Sequence, residues 1–302
     1  MKQEIEAFLE YIRKEKGASE NTVAAYQNDI NQLLSFIQND ADKKGIYPQW
    51  SGVEQQTLQN YVVDLRQRGY AGATVARKLS AAKSLFKFLA VEGKINNIPI
   101  ADIDSPRILR PLPQAISEDQ IQILLNQAGK GVTPESKRDK AMLEILYGSG
   151  MRVSEVVSLN LSDVDTNNGC IHCPGKGYKE RNVAIPMQAV EALKIYLEHG
   201  RPHLVRSDDE HALFLNRLGK RLTRQGFWHI LKTYGQAINL KEKITPRVLR
   251  HSLATHLVSH GTDLHAIQTK LGHAHISTTQ VYAKPDPPRQ KNATSAALAN
   301  NR

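Results

Sequence analysis

Arg247, Arg250, His273 and Tyr282 are the residues of this chain whose types and spacing suggest chemistry. The densest stretch runs from Thr245 to Tyr282, TPRVLRHSLATHLVSHGTDLHAIQTKLGHAHISTTQVY. Arg247 and Arg250 lie three apart, so they share one side of a first helical turn. Thr245 is an N-cap type and Pro246 suits the first helical position, which starts a helix at Arg247. Two guanidiniums at a helix N-terminus, where free backbone N–H groups also gather, make a site for a phosphate. A histidine and a tyrosine follow within the same stretch. The pattern predicts phosphoryl transfer with a tyrosine nucleophile.

The elements that must position these groups can be read from periodicity. Leu249, Leu253 and Leu257 recur every fourth residue and predict a buried stripe. Gly261 stops that helix, Leu264, Ile267 and Leu271 line the next, and Gly272 ends it, leaving His273 in a tight turn. Ser277-Thr-Thr opens the last element, which carries Tyr282.

Upstream, residues 1–103 read as an all-helical domain. Phe8, Leu9 and Ile12 mark a first helix, and Tyr26, Ile30, Leu33, Leu34 and Ile37 a second that a cap at Ser19 opens. Helices are expected at Leu58–Arg68, with Val62 and Leu65 inward, and at Thr74–Val91, with Leu79, Leu85, Phe86 and Leu89 inward. The last carries Arg77, Lys78, Lys83 and Lys87, expected to touch DNA phosphates. Residues 104–115, within the proline-rich run ADIDSPRILRPLPQ, are expected to be a linker, because proline disfavours helix for itself and for the residue before it.

Residues 116–302 read as a second domain. Ser117 with Gln120 makes a capping-box pattern, and a helix is expected from about Lys137 to Tyr147, ending at Gly148-Ser-Gly150. Alternating runs at Leu161–Val164, Cys170–Cys173 and Arg181–Ile185 predict a small antiparallel sheet, with Lys176 in the turn between its last two strands. Helices follow at about 187–198 and 223–238. The fold class expected is mainly α, with the small sheet in the second domain.

At 302 residues, with 40% hydrophobic side chains, the chain can bury two cores. A net charge of +10 and a pI near 9.5 ask for a polyanionic partner, with nucleic acid first. No apolar run approaches the roughly 18–20 residues that span a bilayer, and no signal peptide is legible, so a cytoplasmic location is expected. The two cysteines, Cys170 and Cys173, lack a second ligand pair and are read as reduced thiols in a strand. His256 and His260 lie four apart, but without an HExxH glutamate they and His251 are read as packing or supporting groups. Gly169 to Gly175 has five intervening residues, and Lys176 is followed by Gly177, so the segment is not a P-loop. No cofactor and no metal are expected.

The strings GSGMRVSE, GKGYKER, LRHSLATHL and LGHAHISTTQVY, with SENTVAAYQNDI and TVARKLSAAKSLFKFL, resemble the tyrosine recombinase (phage integrase-like) family, most closely its Xer branch of bacterial chromosome-dimer resolvases. The resemblance implies a helical core-binding (SAM-like) domain ahead of a catalytic domain. By it, Tyr282 is the nucleophile that forms a 3′-phosphotyrosine, Arg152 and Arg250 clamp the non-bridging oxygens, and Lys176 protonates the 5′-oxygen. His273 donates to the same phosphate, and Glu155 supports the site. Phosphodiester exchange conserves bond energy, so the resemblance implies no ATP and no metal. The implied partners are a double-stranded DNA recombination site, identical or paralogous subunits in a tetramer on two sites, a possible DNA translocase activator, and no membrane.

Two features depart from the family pattern. Where the family has a histidine, or less often a lysine, three residues before the second arginine, this chain has Arg247. Arginine stays protonated and cannot act as a general base, although it can donate to a phosphate. The tail after Tyr282 has only Ala296, Ala297 and Leu298 as a thin apolar face for docking on a neighbouring subunit. The readings held open are dimer resolution, a mobile-element or phage integrase, and a catalytically weakened DNA-binding member. Integrases often carry an extra arm-binding domain; this chain begins with the helical domain, so the Xer-like reading is preferred. A type IB topoisomerase shares the chemistry but needs no partner subunit.

Overall fold

The structure, a computed structural model, describes residues 1–104, 106, 114–173, 180–240, 244–273 and 275–283. Lys176, most of the proline-rich segment and the tail beyond residue 283 lie outside the described residues. The chain divides into two compact units, Met1–Pro111 and Leu112–Arg302. The fold is mainly α, with one three-stranded antiparallel sheet.

Among its described residues the first unit holds four α-helices: α1 (Lys2–Lys14), α2 (Glu20–Lys43), α3 (Gln55–Gln67) and α4 (Gly72–Val91). The Ser19 side chain accepts from the Thr22 backbone N–H and so starts α2. Phe8, Ile30, Leu33, Leu58, Leu65, Leu79, Leu85 and Phe86 form the core, with Tyr26 at its margin. Helix α3 begins three residues ahead of Leu58, because its first turn needs no apolar residue until it meets α2 and α4.

The cations of α4 do not all lie where the sequence expectation put them. Lys78 is only 4% exposed. Its Nζ donates to Asp29 Oδ1 at 2.9 Å and to Gln32 Oε1 at 2.5 Å. Arg77 also bonds Asp29. A lysine on the buried side of a helix can keep its charge only against a carboxylate, and Asp29 supplies it. Lys78 is therefore corrected from phosphate contact to internal ion pair. Arg77 shares the carboxylate while staying partly exposed, Lys83 is half-buried, and Lys87 is exposed.

The second unit opens with α5 (Glu118–Gly129), whose capping box joins Ser117 and Gln120 as expected. Helix α6 (Pro134–Ser149) starts three residues earlier than the sequence reading. The Thr133 side chain caps Ser136 N–H, and Pro134 takes the first turn, where its missing N–H costs nothing. The short α7 (Val153–Ser158) follows Arg152 directly, an element the periodicity was too brief to reveal. The sheet runs β1 (Val164–Asp165), β2 (Cys170–Cys173), β3 (Arg181–Ala184), in that order, with Ile171 paired to Val183 and Cys173 to Arg181. Residues 161–163 form a tight helical turn, so the first expected strand is only two residues long. Both cysteines are free thiols, Cys173 buried and Cys170 half-buried.

Helices α8 (Met187–His199), α9 (Arg201–Leu204), α10 (Arg224–Ala237), α11 (Pro246–Ser259), α12 (Leu264–Leu271) and α13 (Ser277–Gln280) follow among the described residues of the unit. Helix α6 is sunk in its centre, packed on α5, α8 and α11. The buried Ser252 hydroxyl accepts from Ile116 N–H and donates to the Val248 carbonyl, each at 2.9 Å, pinning the start of the unit to α11. No helix among the described residues is long and apolar enough to cross a membrane.

Breaking the Asp29 pair should cost far more than a surface ion pair. Asp29→Ala strands the Lys78 ammonium and is expected to remove about 3–5 kcal/mol of stability in urea unfolding. Asp29→Ala with Lys78→Met is expected to recover most of it. A single-variant loss below about 1 kcal/mol, the range of an exposed pair, would contradict the buried pairing.

Candidate active site

Two glycine-terminated helix ends create the site. Helix α6 closes on Gly150 at φ +67°, and α12 closes on Gly272 at φ +64°, a left-handed conformation that favours glycine. Space demands glycine as well. A Cβ on Gly150 would lie 2.6 Å from Leu271 Cδ2 and 2.8 Å from Leu253 Cδ2. One on Gly272 would lie 2.7 Å from the Arg181 guanidinium carbon. The close approach brings the C-terminal carbonyls of α6 and α12 together, and both present the negative end of a helix dipole.

Those carbonyls seat the arginines. Arg250, four residues into α11 behind the Thr245 cap, donates through Nη1 to the Gly150 carbonyl at 2.5 Å and through Nη2 to the Leu271 carbonyl at 2.6 Å. Arg152 donates through Nη2 to the Gly272 carbonyl at 3.3 Å and through Nη1 to Glu155 Oε1 at 3.0 Å. Its side chain stays 47% exposed, so the outer edge of the guanidinium faces solvent. Glu155 also accepts the Arg152 backbone N–H at 2.6 Å, closing the first turn of α7. Arg181 donates to both oxygens of the same carboxylate, at 3.3 and 3.1 Å.

The cluster carries more positive than negative charge. Arg152, Arg181 and Arg250 stand against Glu155 alone, with Arg247 exposed at the start of α11. Burial, and then repulsion from Arg152, pulls the Arg250 guanidinium down to about 10. Burial alone would raise Glu155, but the Arg152 backbone N–H and the Arg181 and Arg152 guanidiniums outweigh it and hold the carboxyl below its ordinary value. Three arginines held by neutral helix-end carbonyls and a single shared carboxylate keep a net positive charge, which is arranged to take up an anion.

His273 and Tyr282 stand beside this cluster. His273 Nδ1 lies 2.9 Å from the fully buried Thr279 hydroxyl, and its carbonyl accepts from Gln268 Nε2 at 3.1 Å. Burial and the Arg250 and Arg152 cations push the imidazole down to about 4, so it is neutral near pH 7. The Tyr282 ring stacks on His273 at 6.3 Å between centroids and tilts against His251 at 5.2 Å. Tyr282 also packs on the small core of Leu253, Ala254, Ile267 and Leu271. Burial raises its phenol above the ordinary value, and the Arg250 and Arg247 cations pull in the opposite direction without cancelling the effect.

Of the residues singled out in the sequence, the structure brings together Arg152, Glu155, Arg250, His273 and Tyr282, with Arg247 alongside on α11. Lys176 lies outside the described residues. Arg77, Lys78, Lys83 and Lys87 belong to the other unit. His256 bonds the Tyr147 hydroxyl at 2.9 Å, and His260 pairs with Glu118 at 3.2 Å. The sequence reading missed Arg181 and Thr279 as individuals. Arg181 sat inside the string GKGYKER, and its strand position gave a hint: it pairs with Cys173 on the strand before it. Thr279 carried no signal, because a threonine in a short helix is ordinarily capping or packing.

Comparisons with known proteins bear on the family and the fold. Residues 114–289 match the phage integrase family model, and residues 5–93 match the phage integrase N-terminal SAM-like domain. The chain is 45% identical to a tyrosine recombinase XerC of Herpetosiphon aurantiacus, over 93% of this chain and 90% of that protein. It is 38% identical to a tyrosine recombinase XerD of Halalkalibacterium halodurans, over 92% and 91%. Its fold resembles a XerH site-specific recombinase bound to palindromic difH substrate, with a TM-score of 0.69, 23% identity and 93% and 91% coverage.

The low value at His273 has a consequence for acid stability. The unfolded chain takes up this proton near the ordinary value of 6.5, whereas the folded chain resists until about 4. More protons are then bound unfolded than folded between those values, so the stability that His273 contributes above 6.5 is lost as pH falls. His273→Gln is expected to flatten urea stability against pH across that window relative to the parent chain. Equal slopes in the two proteins would contradict the buried neutral imidazole. With two matched domains, a cationic site and relatives alike along nearly their whole length, the chain belongs to the phage integrase family, the tyrosine recombinases, in its Xer-type branch of site-specific DNA-recombining enzymes.

Proposed function

We propose that this recombinase resolves chromosome or plasmid dimers, cutting and rejoining DNA at a recombination site through a 3′-phosphotyrosine on Tyr282. The observation that carries the proposal is the pairing of the half-buried Arg250 and the exposed Arg152 with a stacked His–Tyr pair in the second unit. Tyr282 Oη attacks the scissile phosphorus, an Oη–P bond forms, and the P–O5′ bond breaks. Arg152 and Arg250 take the non-bridging oxygens, where charge grows in the transition state. Neutral His273, its Nδ1 2.9 Å from the Thr279 hydroxyl, is assigned the tautomer with the proton on Nε2 and gives it in a hydrogen bond to the same phosphate. Lys176 supplies the proton that the 5′-oxygen needs on leaving.

Arg247 donates to the phosphate but cannot accept the tyrosine proton, which passes to solvent water as the Oη–P bond forms. Because burial holds the Tyr282 phenol above its ordinary value, proton loss from Tyr282 is the slowed step. The names of the curated relatives support the Xer-like role over a mobile-element integrase. The remaining parts of the proposal are a tetramer of identical or paralogous subunits on two sites, activation by a DNA translocase, chromosome partition as the setting, and a cytoplasmic location.

The test is covalent capture on a nicked suicide substrate carrying a cognate site. An SDS-resistant protein–DNA adduct is expected with the parent chain and none with Tyr282→Phe. Arg247→His is expected to raise the adduct rate by about a hundredfold or more, the usual range for a positioned base. DNA binding without an adduct in the parent would favour a weakened DNA-binding protein. An adduct rate unchanged by Arg247→His would refute the slowed proton step.

A further inference from the structure

Arg181 has a geometry that a merely stabilising ion pair does not require. It opens β3, paired with Cys173, and the chain between these two residues carries Lys176. Its Nη1 and Nη2 reach Glu155 Oε1 and Oε2, the oxygens that also hold the Arg152 guanidinium and backbone N–H. Its remaining donor, Nε, is buried and has no partner among the described residues. The guanidinium lies against Gly272, where it leaves no room for a Cβ. Gly272 in turn offers its carbonyl to Arg152 and precedes His273.

A half-buried cation whose Nε–H meets no partner among the described residues is a poor way to stabilise a fold, and an apolar side chain of similar volume would serve better. Such departures from good packing gather where position matters more than stability. Glu155 alone, held by Arg152, could pivot with that exposed side chain. With Arg181 bonded to both oxygens, the carboxylate plane is fixed from the sheet side, so Arg152 has one orientation.

We propose that Arg181 is a positioning residue for the phosphate clamp. It locks Glu155, and through it Arg152, while bracing the Gly272 turn that presents His273. The inference rests on the reading of Arg152 and His273 as ligands of the scissile phosphate. Arg181 itself touches no reacting atom. Its loss slows the chemical step by loosening groups that do, because small misplacements of oriented groups cost rate rather than affinity.

The experiment measures adduct formation at saturating suicide substrate, together with the DNA dissociation constant and the urea midpoint. The proteins are the full chain, Arg181→Ala, Arg181→Lys, Glu155→Gln and the Arg181→Ala/Glu155→Gln pair. Arg181→Ala is expected to slow adduct formation by about tenfold or more, with the dissociation constant changed by less than about threefold. Arg181→Lys should recover part of the rate, since one ammonium can still reach the carboxylate. The double variant should be no slower than the slower single variant, because both act through one contact. An unchanged rate for Arg181→Ala, a loss that tracks weaker DNA binding or unfolding, or single effects that multiply in the double variant would overturn the proposal. Failure of the parent chain to form an adduct would instead refute the recombinase reading, so the two failures are distinct.

Discussion

Two helices must end on left-handed glycines, close enough that their last carbonyls converge, and the rest of the site depends on this constraint. Gly150 and Gly272 meet it by conformation and by lack of a side chain. The converged carbonyls of Gly150, Leu271 and Gly272 then accept from Arg250 and Arg152. A carbonyl at a helix C-terminus attracts a cation without neutralising it. The guanidiniums are thereby oriented while their net charge remains, and burial, followed by repulsion from Arg152, holds Arg250 down at about 10. A carboxylate for each arginine would hold them equally well but would leave nothing to attract a phosphate.

The same packing that brings the helix ends together also places the tyrosine. Leu253 and Leu271 touch the space above Gly150 and belong to the small core on which Tyr282 rests. Structure and chemistry are thus linked at the level of single methyl groups. The phenol rests on an apolar support of four buried residues, and one of them, Leu271, lends its carbonyl to Arg250. Neutral His273 keeps the excess of positive charge from growing further, and a buried threonine fixes its ring. The site can therefore hold a tyrosine among several arginines without ionising it prematurely.

Much of this was legible in the sequence, for identifiable reasons. Capping residues and leucine spacing located α11 and α12, because those signals are local. The reactive residue types stood out because arginine, histidine and tyrosine in that order have few other joint uses. What stayed hidden was long-range. Lys78 looked like its exposed neighbours on α4, and only its partner Asp29, 49 residues earlier, shows that it faces inward. Arg181 lies 26 residues from Glu155, so no periodicity could pair them. Thr133-Pro134 was a readable start for α6, passed over because apolar periodicity begins later. Short elements such as α7 and β1 are set by tertiary contacts rather than by their own few residues.

The central claim is that the two helix-end carbonyls orient Arg250 for the transition state rather than for DNA affinity. Arg250→Lys tests it most directly, because one ammonium keeps the charge but cannot span the Gly150 and Leu271 carbonyls while also meeting a phosphate. Single-turnover cleavage of a cognate suicide substrate should fall by on the order of a hundredfold, with DNA affinity within about threefold of the parent. A lysine variant that cleaves at the parental rate would show that charge alone suffices, and would contradict the account.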